Sequence, residues 1–198
     1  MKEPCSKSLC FYFGTDFSGG CRPDLIDDMH RIGAHMQFLI ITPFDISPNE
    51  FWARSESKEL SRLLDEAAEV SRVIEEEHKT ETGKFRRYRV TQTKDLALAA
   101  QKMLRTKRIS YTQIQTYDDK RLRIDWEVLP DNFVGKVRIS GFLEVKAKGQ
   151  GCERVVNGEI NVAVPLIGRK IEKQVIAGLE RSYARAAEVT EKWLSENR

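Results

Sequence analysis

From Arg169 onward the apolar positions of this chain fall at helical spacing. Ile171, Val175, Leu179, Tyr183, Ala186, Thr190 and Trp193 recur three or four residues apart, and Ile176, Ala187 and Leu194 widen the stripe. The pattern predicts one amphipathic helix over 169–195, which at 1.5 Å per residue would run roughly 40 Å. A two-faced helix of that length needs a surface to lie on. The preceding sequence supplies it, because most of it alternates with period two.

Met36 to Phe44 is β-branched and aromatic and reads as a first strand. Ser47-Pro48-Asn49-Glu50 forms a capping box with proline at the first helical position, so a short helix carrying Phe51 and Trp52 should follow. Ser57 can cap a second helix with Leu60, Leu63, Leu64 and Ala67 on its inner side. From Val70 the alternation sets Val73, Glu75 and Glu77 on one face against Arg72, Ile74 and Glu76 on the other. Thr82-Gly83 turns the chain into a strand from Phe85 to Thr93, and Leu96 to Leu104 has the propensity of a third short helix. Strands are then expected over Ile109 to Tyr117, through Leu122, Ile124, Trp126 and Val128, through Val137, Ile139, Gly141, Leu143 and Val145, and over Val155 to Val164. The fold class is α+β: a mostly sequential antiparallel sheet of about seven strands, curved around the long C-terminal helix.

Residues 1–35 show no sustained periodicity, and the pattern changes abruptly at Met36. They read as a flexible leader, or as a start placed too early with Met29 or Met36 the real initiator; 36–198 is the folded domain. Cys5, Cys10, Cys21, His30 and His35 fall in this leader, but their spacing matches no compact zinc finger. With 198 residues, 40% hydrophobic and 32% charged, the rest can bury a sizeable core without metals or disulfides. A net charge of +3 with interspersed signs gives no basis for a nucleic-acid partner. No segment approaches the ~20 apolar residues of a membrane span, so stable membrane insertion is not expected, and with no signal peptide the expected location is the cytoplasm.

Chemistry is sparse. His78 is the one histidine after position 35 and stands in a charged run with Glu75, Glu76 and Glu77, which reads as solvated surface. Neighbouring carboxylates on a strand point to opposite faces, so they do not converge on a cation. Gly149-Gln150-Gly151 precedes a strand and is too short to cradle phosphates. No metal site, cofactor or covalent catalytic set is expected.

The segment Gly158-Glu159-Ile160-Asn161-Val162-Ala163-Val164-Pro165-Leu166-Ile167-Gly168-Arg169-Lys170-Ile171-Glu172 resembles the strand-to-helix junction of a bacterial family, domain of unknown function 2505. Asp45-Ile46-Ser47-Pro48, Ala99 to Leu104 and Thr190-Glu191-Lys192-Trp193-Leu194 add to the likeness. That family is similar in turn to the START-like, or SRPBCC, superfamily of helix-grip folds, which includes the birch-pollen allergen and the polyketide cyclases. The resemblance covers 36–198 and implies a sheet wrapped around the last helix, with an interior pocket for apolar ligands. It implies no particular reaction. At the junction, Pro165 suits a strand end, Gly168 gives the turn its freedom, and Glu172 meets the helix dipole.

The candidate cavity residues are Ile171, Val175, Leu179 and Tyr183 on the helix, with Ile124, Trp126, Ile139 and Leu143 on the sheet. Tyr88, Tyr111 and Asp125 are polar candidates beside them. If Asp125 faced inward, burial would raise its pKa and make it a candidate base. Three readings stay open: a carrier or sensor of a hydrophobic small molecule or lipid, a cyclase- or isomerase-like enzyme using buried polar residues, and a filled core. The carrier reading is preferred, with no catalytic residue assigned and the oligomeric state open.

Overall fold

The structure is a computed structural model that describes residues 36–197 apart from 97, 99–100, 103–104 and 164–167. The leader with its cysteines and histidines, most of the third short helix expected at 96–104, and Pro165 lie outside the described residues.

β1 (Met36–Phe44) is followed by two short helices, α1 (Pro48–Ser55) and α2 (Lys58–Ala67). Then come β2 (Val70–Lys79), β3 (Lys84–Gln92), β4 (Ser110–Asp118), β5 (Arg123–Pro130), β6 (Val137–Lys148) and β7 (Gly151–Val162), and the chain closes with α3 (Gly168–Glu196). The strands form one seven-stranded sheet in the order β1-β7-β6-β5-β4-β3-β2. Every pairing is antiparallel. Six strands follow one another as a meander, and β1 adds to the far edge against β7.

Local chemistry sets the helix starts. Ser47 caps α1 by accepting from the Glu50 amide at 3.4 Å, and Ser57 caps α2 by accepting from the Leu60 amide at 3.4 Å. Leu60 is then almost fully buried. At the other end of the molecule α3 is tied to β7. Glu172 is buried, and its Oε1 accepts from the Val162 amide at 2.9 Å. The carboxylate therefore closes a strand end; no acidic residue lies in the first turn of α3, so Glu172 serves β7 and not the helix dipole as expected. Gly168 is required by proximity: a Cβ there would stand 2.4 Å from the Val162 carbonyl oxygen. The C-terminal half of α3 is held by Trp193, whose Nε1 donates to Glu59 Oε2 of α2 at 3.1 Å.

The inner face of the sheet, the one toward α3, carries the even residues of β1 and β7 and the odd residues of β6. Phe38, Val156, Ile160, Val162 and Ile139 from these strands join Ile171, Val175 and Leu179 of α3 in the main apolar cluster. A second cluster of Phe44, Phe51, Val145 and Cys152 lies under α1, with Ala187 and Leu194 of α3 packed on it. Cys152 is a buried core residue.

Two features of the sheet escape simple alternation. Between Ile74 and Glu76 of β2 the register shifts by a bulge, so Glu77 pairs with Arg86 on the inner side while Glu76 bonds Arg87. The expected grouping of Glu77 with Val73 is therefore wrong beyond Ile74. In mid-sheet, Gly141 of β6 stands opposite Gly158 of β7. A Cβ on Gly141 would come within 2.1 Å of the Asn157 carbonyl oxygen and 2.9 Å of Trp126, and one on Gly158 within 2.6 Å of the Phe38 ring. Phe38 and Trp126 flank this glycine pair with ring centroids 6.2 Å apart.

Candidate functional site

The space between α3 and the inner face of the sheet is the place to look for function, because the side chains that line it are treated unequally. Ile171, Val175 and Leu179 are buried in the main cluster, as are Tyr88, Tyr111 and Ile139. Trp126, Leu143, Ile40, Ile176 and Tyr183 pack against that cluster but remain only partly buried. Trp126 sits on β5, whose neighbours β4 and β6 flank it on both sides. Ile124, two residues before Trp126, is also half-buried on the inner face.

Asp125 does not belong to this set. Strand alternation turns it to the outer face, where its side chain is 57% exposed and pairs with Arg123 at 2.6 Å. Arg123 in turn stacks 3.8 Å over Phe142, also on the outer face. Ile124 and Asp125 are adjacent on one strand, so the two could not both face inward. His78 is a surface residue, stacked on Phe85 at 4.8 Å with Glu76 3.4 Å from its Nδ1.

Polar groups that the sequence did not single out occupy the interior instead. Arg154 of β7 is only 6% exposed. Its Nη2 donates two long hydrogen bonds, to Thr42 Oγ1 at 3.4 Å and to the Tyr183 carbonyl oxygen at 3.5 Å. Its guanidinium lies near two rings, 5.4 Å from the Phe44 centroid and 5.3 Å from that of Tyr183. Its Nε is buried with no hydrogen-bond partner. Burial pulls its pKa down, and the nearby Tyr183 opposes that. The signal was present in the sequence: Arg154 interrupts the face that Cys152, Val156, Gly158, Ile160 and Val162 share.

Arg72 of β2 stands at the other side of the interior. It pairs with Asp65 of α2 at 3.1 Å and lies 5.5 Å from the Tyr88 ring centroid. Burial raises the Asp65 pKa, and Arg72 acts against that rise. Tyr111 is pushed up to about 12 by burial, with Arg72 opposing and Asp65 and Tyr183 adding to the shift. Burial also raises the Tyr183 hydroxyl, which both Arg154 and Arg72 pull back. Tyr183 therefore lies within electrostatic reach of both guanidiniums. Trp126 Nε1 and Arg72 Nε are also buried without a hydrogen-bond partner.

A different recess, an open groove of about 740 Å³, lies between Pro43–Ser47, α1 and the end of α3. Its one arginine is already engaged: Arg54 pairs with Glu50 and donates to the Asn197 carbonyl oxygen at 2.6 Å. Among the described residues no group of three or more His, Cys, Asp or Glu side chains is placed to hold a metal. No described helix is long and apolar enough to cross a membrane.

An antiparallel sheet curved around one long helix, with two short helices after the first strand, defines the helix-grip architecture of the START-like superfamily. Solved structures agree. The fold is similar to that of Ara h 8.0201, with 10% identity and a TM-score of 0.56, covering 79% of this chain and 98% of that one. A START superfamily protein from Mycobacterium smegmatis matches with 12% identity and a TM-score of 0.51, over 83% of this chain and all of the other. The ZhuI aromatase/cyclase from Streptomyces sp. R1128 matches with 15% identity and a TM-score of 0.50, over 80% and 93% of the two chains. At such identities the likeness is one of fold. Within this class, a family model matches residues 41–194, and the chain belongs to the family described as Protein of unknown function (DUF2505). No curated protein matches.

Proposed function

We propose that this protein binds a hydrophobic small molecule or lipid in the space between the sheet and α3. The observation that carries the reading is the half-buried state of Trp126, Leu143 and Tyr183, which face inward from the middle of the fold. Packed cores leave few voids larger than a water molecule, and apolar walls with a few placed polar groups are the usual make-up of a small-molecule pocket. Ile40, Ile176 and Leu143 supply the apolar wall; Arg154, Tyr183 and Trp126 supply the polar points. Native mass spectrometry of the purified protein tests this against its denatured mass. A mass excess lost on denaturation, or saturable binding of added amphiphiles, is the expected result. A protein that carries nothing and is not stabilised by any fatty acid, alcohol or phospholipid has a filled core, and the reading fails.

A cyclase- or isomerase-like enzyme is the second reading, favoured by Asp65. Its carboxyl is held above the usual range by burial, and it interacts with Tyr111 across the interior. The ZhuI aromatase/cyclase shows that this fold can carry such an activity. An enzyme of this kind would change a bound polyketide-like ketone, and the Asp65→Asn variant would bind it without changing it. A carrier returns the ligand unchanged with either side chain.

A further inference from the structure

We propose that Arg154 is the receptor for an anionic head group, a carboxylate, on the ligand held between the sheet and α3. The inference rests on the binding reading above and specifies the chemistry of the guest.

A guanidinium keeps its charge in proteins. Taking such a charge out of water is costly unless an opposite charge and hydrogen bonds replace the lost hydration. Arg154 is buried at 6% exposure, yet no carboxylate among the described residues pairs with it. Its two hydrogen bonds, at 3.4 and 3.5 Å, lie at the long limit for such contacts. The nearby rings of Phe44 and Tyr183 soften the cost but supply no opposite charge. One edge of the guanidinium keeps Nε without a partner and Nη2 only weakly engaged. Two donors side by side on one edge match the two oxygens of a carboxylate.

The surroundings favour a single negative charge. The other arginines described on the inner face are committed, Arg72 to Asp65 and Arg86 to Glu77 and Glu56, so a doubly charged phosphate would find no second uncommitted guanidinium beside Arg154. Tyr183, whose ring lies beside Arg154, is only partly buried. A head group reaches Nε by displacing that ring or by taking a hydrogen bond from its hydroxyl. The apolar remainder of the ligand then lies along Leu143, Trp126 and Ile40. The guest is an apolar molecule with one acidic end.

Isothermal titration of the full chain with decanoic acid, decanol and decyl phosphate at neutral pH tests this, using the wild type, Arg154→Met and Arg154→Lys. Decanoate should bind the wild type about tenfold to a hundredfold more tightly than decanol, the usual value of one charge-assisted hydrogen-bonded contact. Arg154→Met should erase that preference, so that acid and alcohol bind it alike, and Arg154→Lys should restore part of it. Equal affinity for acid and alcohol in the wild type overturns the role of Arg154 and leaves the binding reading standing. Tighter binding of decyl phosphate, dependent on Arg154, overturns the carboxylate in favour of a phosphate. Failure of all three probes to bind any variant overturns the binding reading and the head-group assignment together. Circular dichroism shows whether Arg154→Met folds; if it does not, the Arg154→Lys variant decides, since a shorter, single-point cation should lower the acid preference without abolishing it.

Discussion

Arg72 and Arg154 enter the same interior from opposite ends of the sheet, and the protein treats them differently. Arg72 on the edge strand β2 has a carboxylate made for it by α2, at 3.1 Å, and serves to fasten that helix to the sheet. Arg154 on β7 is more deeply buried and has only two aromatic faces, a hydroxyl and a carbonyl oxygen. A buried charge whose counterion is encoded nearby reads as architecture. One with no counterion among the described residues points outward, to chemistry that arrives from elsewhere.

That contrast can be broken in four ways. Asp65→Ala should have the largest effect on stability, a loss of about 2 kcal/mol at neutral pH, because it strips Arg72 of its partner. Urea unfolding measures it, and replacing both residues together, Asp65→Leu with Arg72→Met, should recover most of the loss. Arg154→Met should go the other way and stabilise the ligand-free protein by about 1 kcal/mol, since it removes an unpaired buried charge. A loss of similar size would mean that Arg154 is architectural too, and the contrast would collapse.

The pH dependence is smaller. Burial raises the folded pKa of Asp65 above its unfolded value. The folded protein therefore holds that proton more tightly, and the stability it contributes is complete below about pH 4 and is lost as pH rises through the folded value. Relative to Asp65→Asn, which cannot titrate there, the wild type should lose stability from about pH 4 upward and then level off. A flat difference across that range would show that Arg72 fully offsets the burial of its partner. Smallest is a spectroscopic sign: ultraviolet titration should show Tyr111 ionising at about 12, well after exposed tyrosines. Early ionisation of Tyr111 would put the Arg72 side of the interior in contact with solvent.

Much of the fold can be read in the sequence because its signals are local. The helical stripe from Ile171 to Trp193, the Ser47 and Ser57 caps and the alternation through Ile124, Trp126 and Val128 each need only a short window. The site is less legible because it depends on which strands meet. The apolar alternation already sets Ile124 inward and so excludes Asp125, but it does not tell which inward side chains stay partly exposed. Arg154 was visible as a charge on an otherwise apolar face, but its missing partner could be known only once α3 and β1 were placed around it. The bulge after Ile74 and the meeting of Gly141 with Gly158 are properties of strand pairs, and no single strand announces them.

The two anchors of α3 have a mechanical consequence. Near one end Glu172 binds the Val162 amide, and near the other Trp193 binds Glu59. A rod clamped at both ends resists sliding and deflects most at mid-span. Tyr183 sits close to the midpoint of Gly168–Glu196, so the compliant part of the rod is the part that covers Arg154. Entry of a guest there calls for a slight bow of one helix and leaves both supports in place.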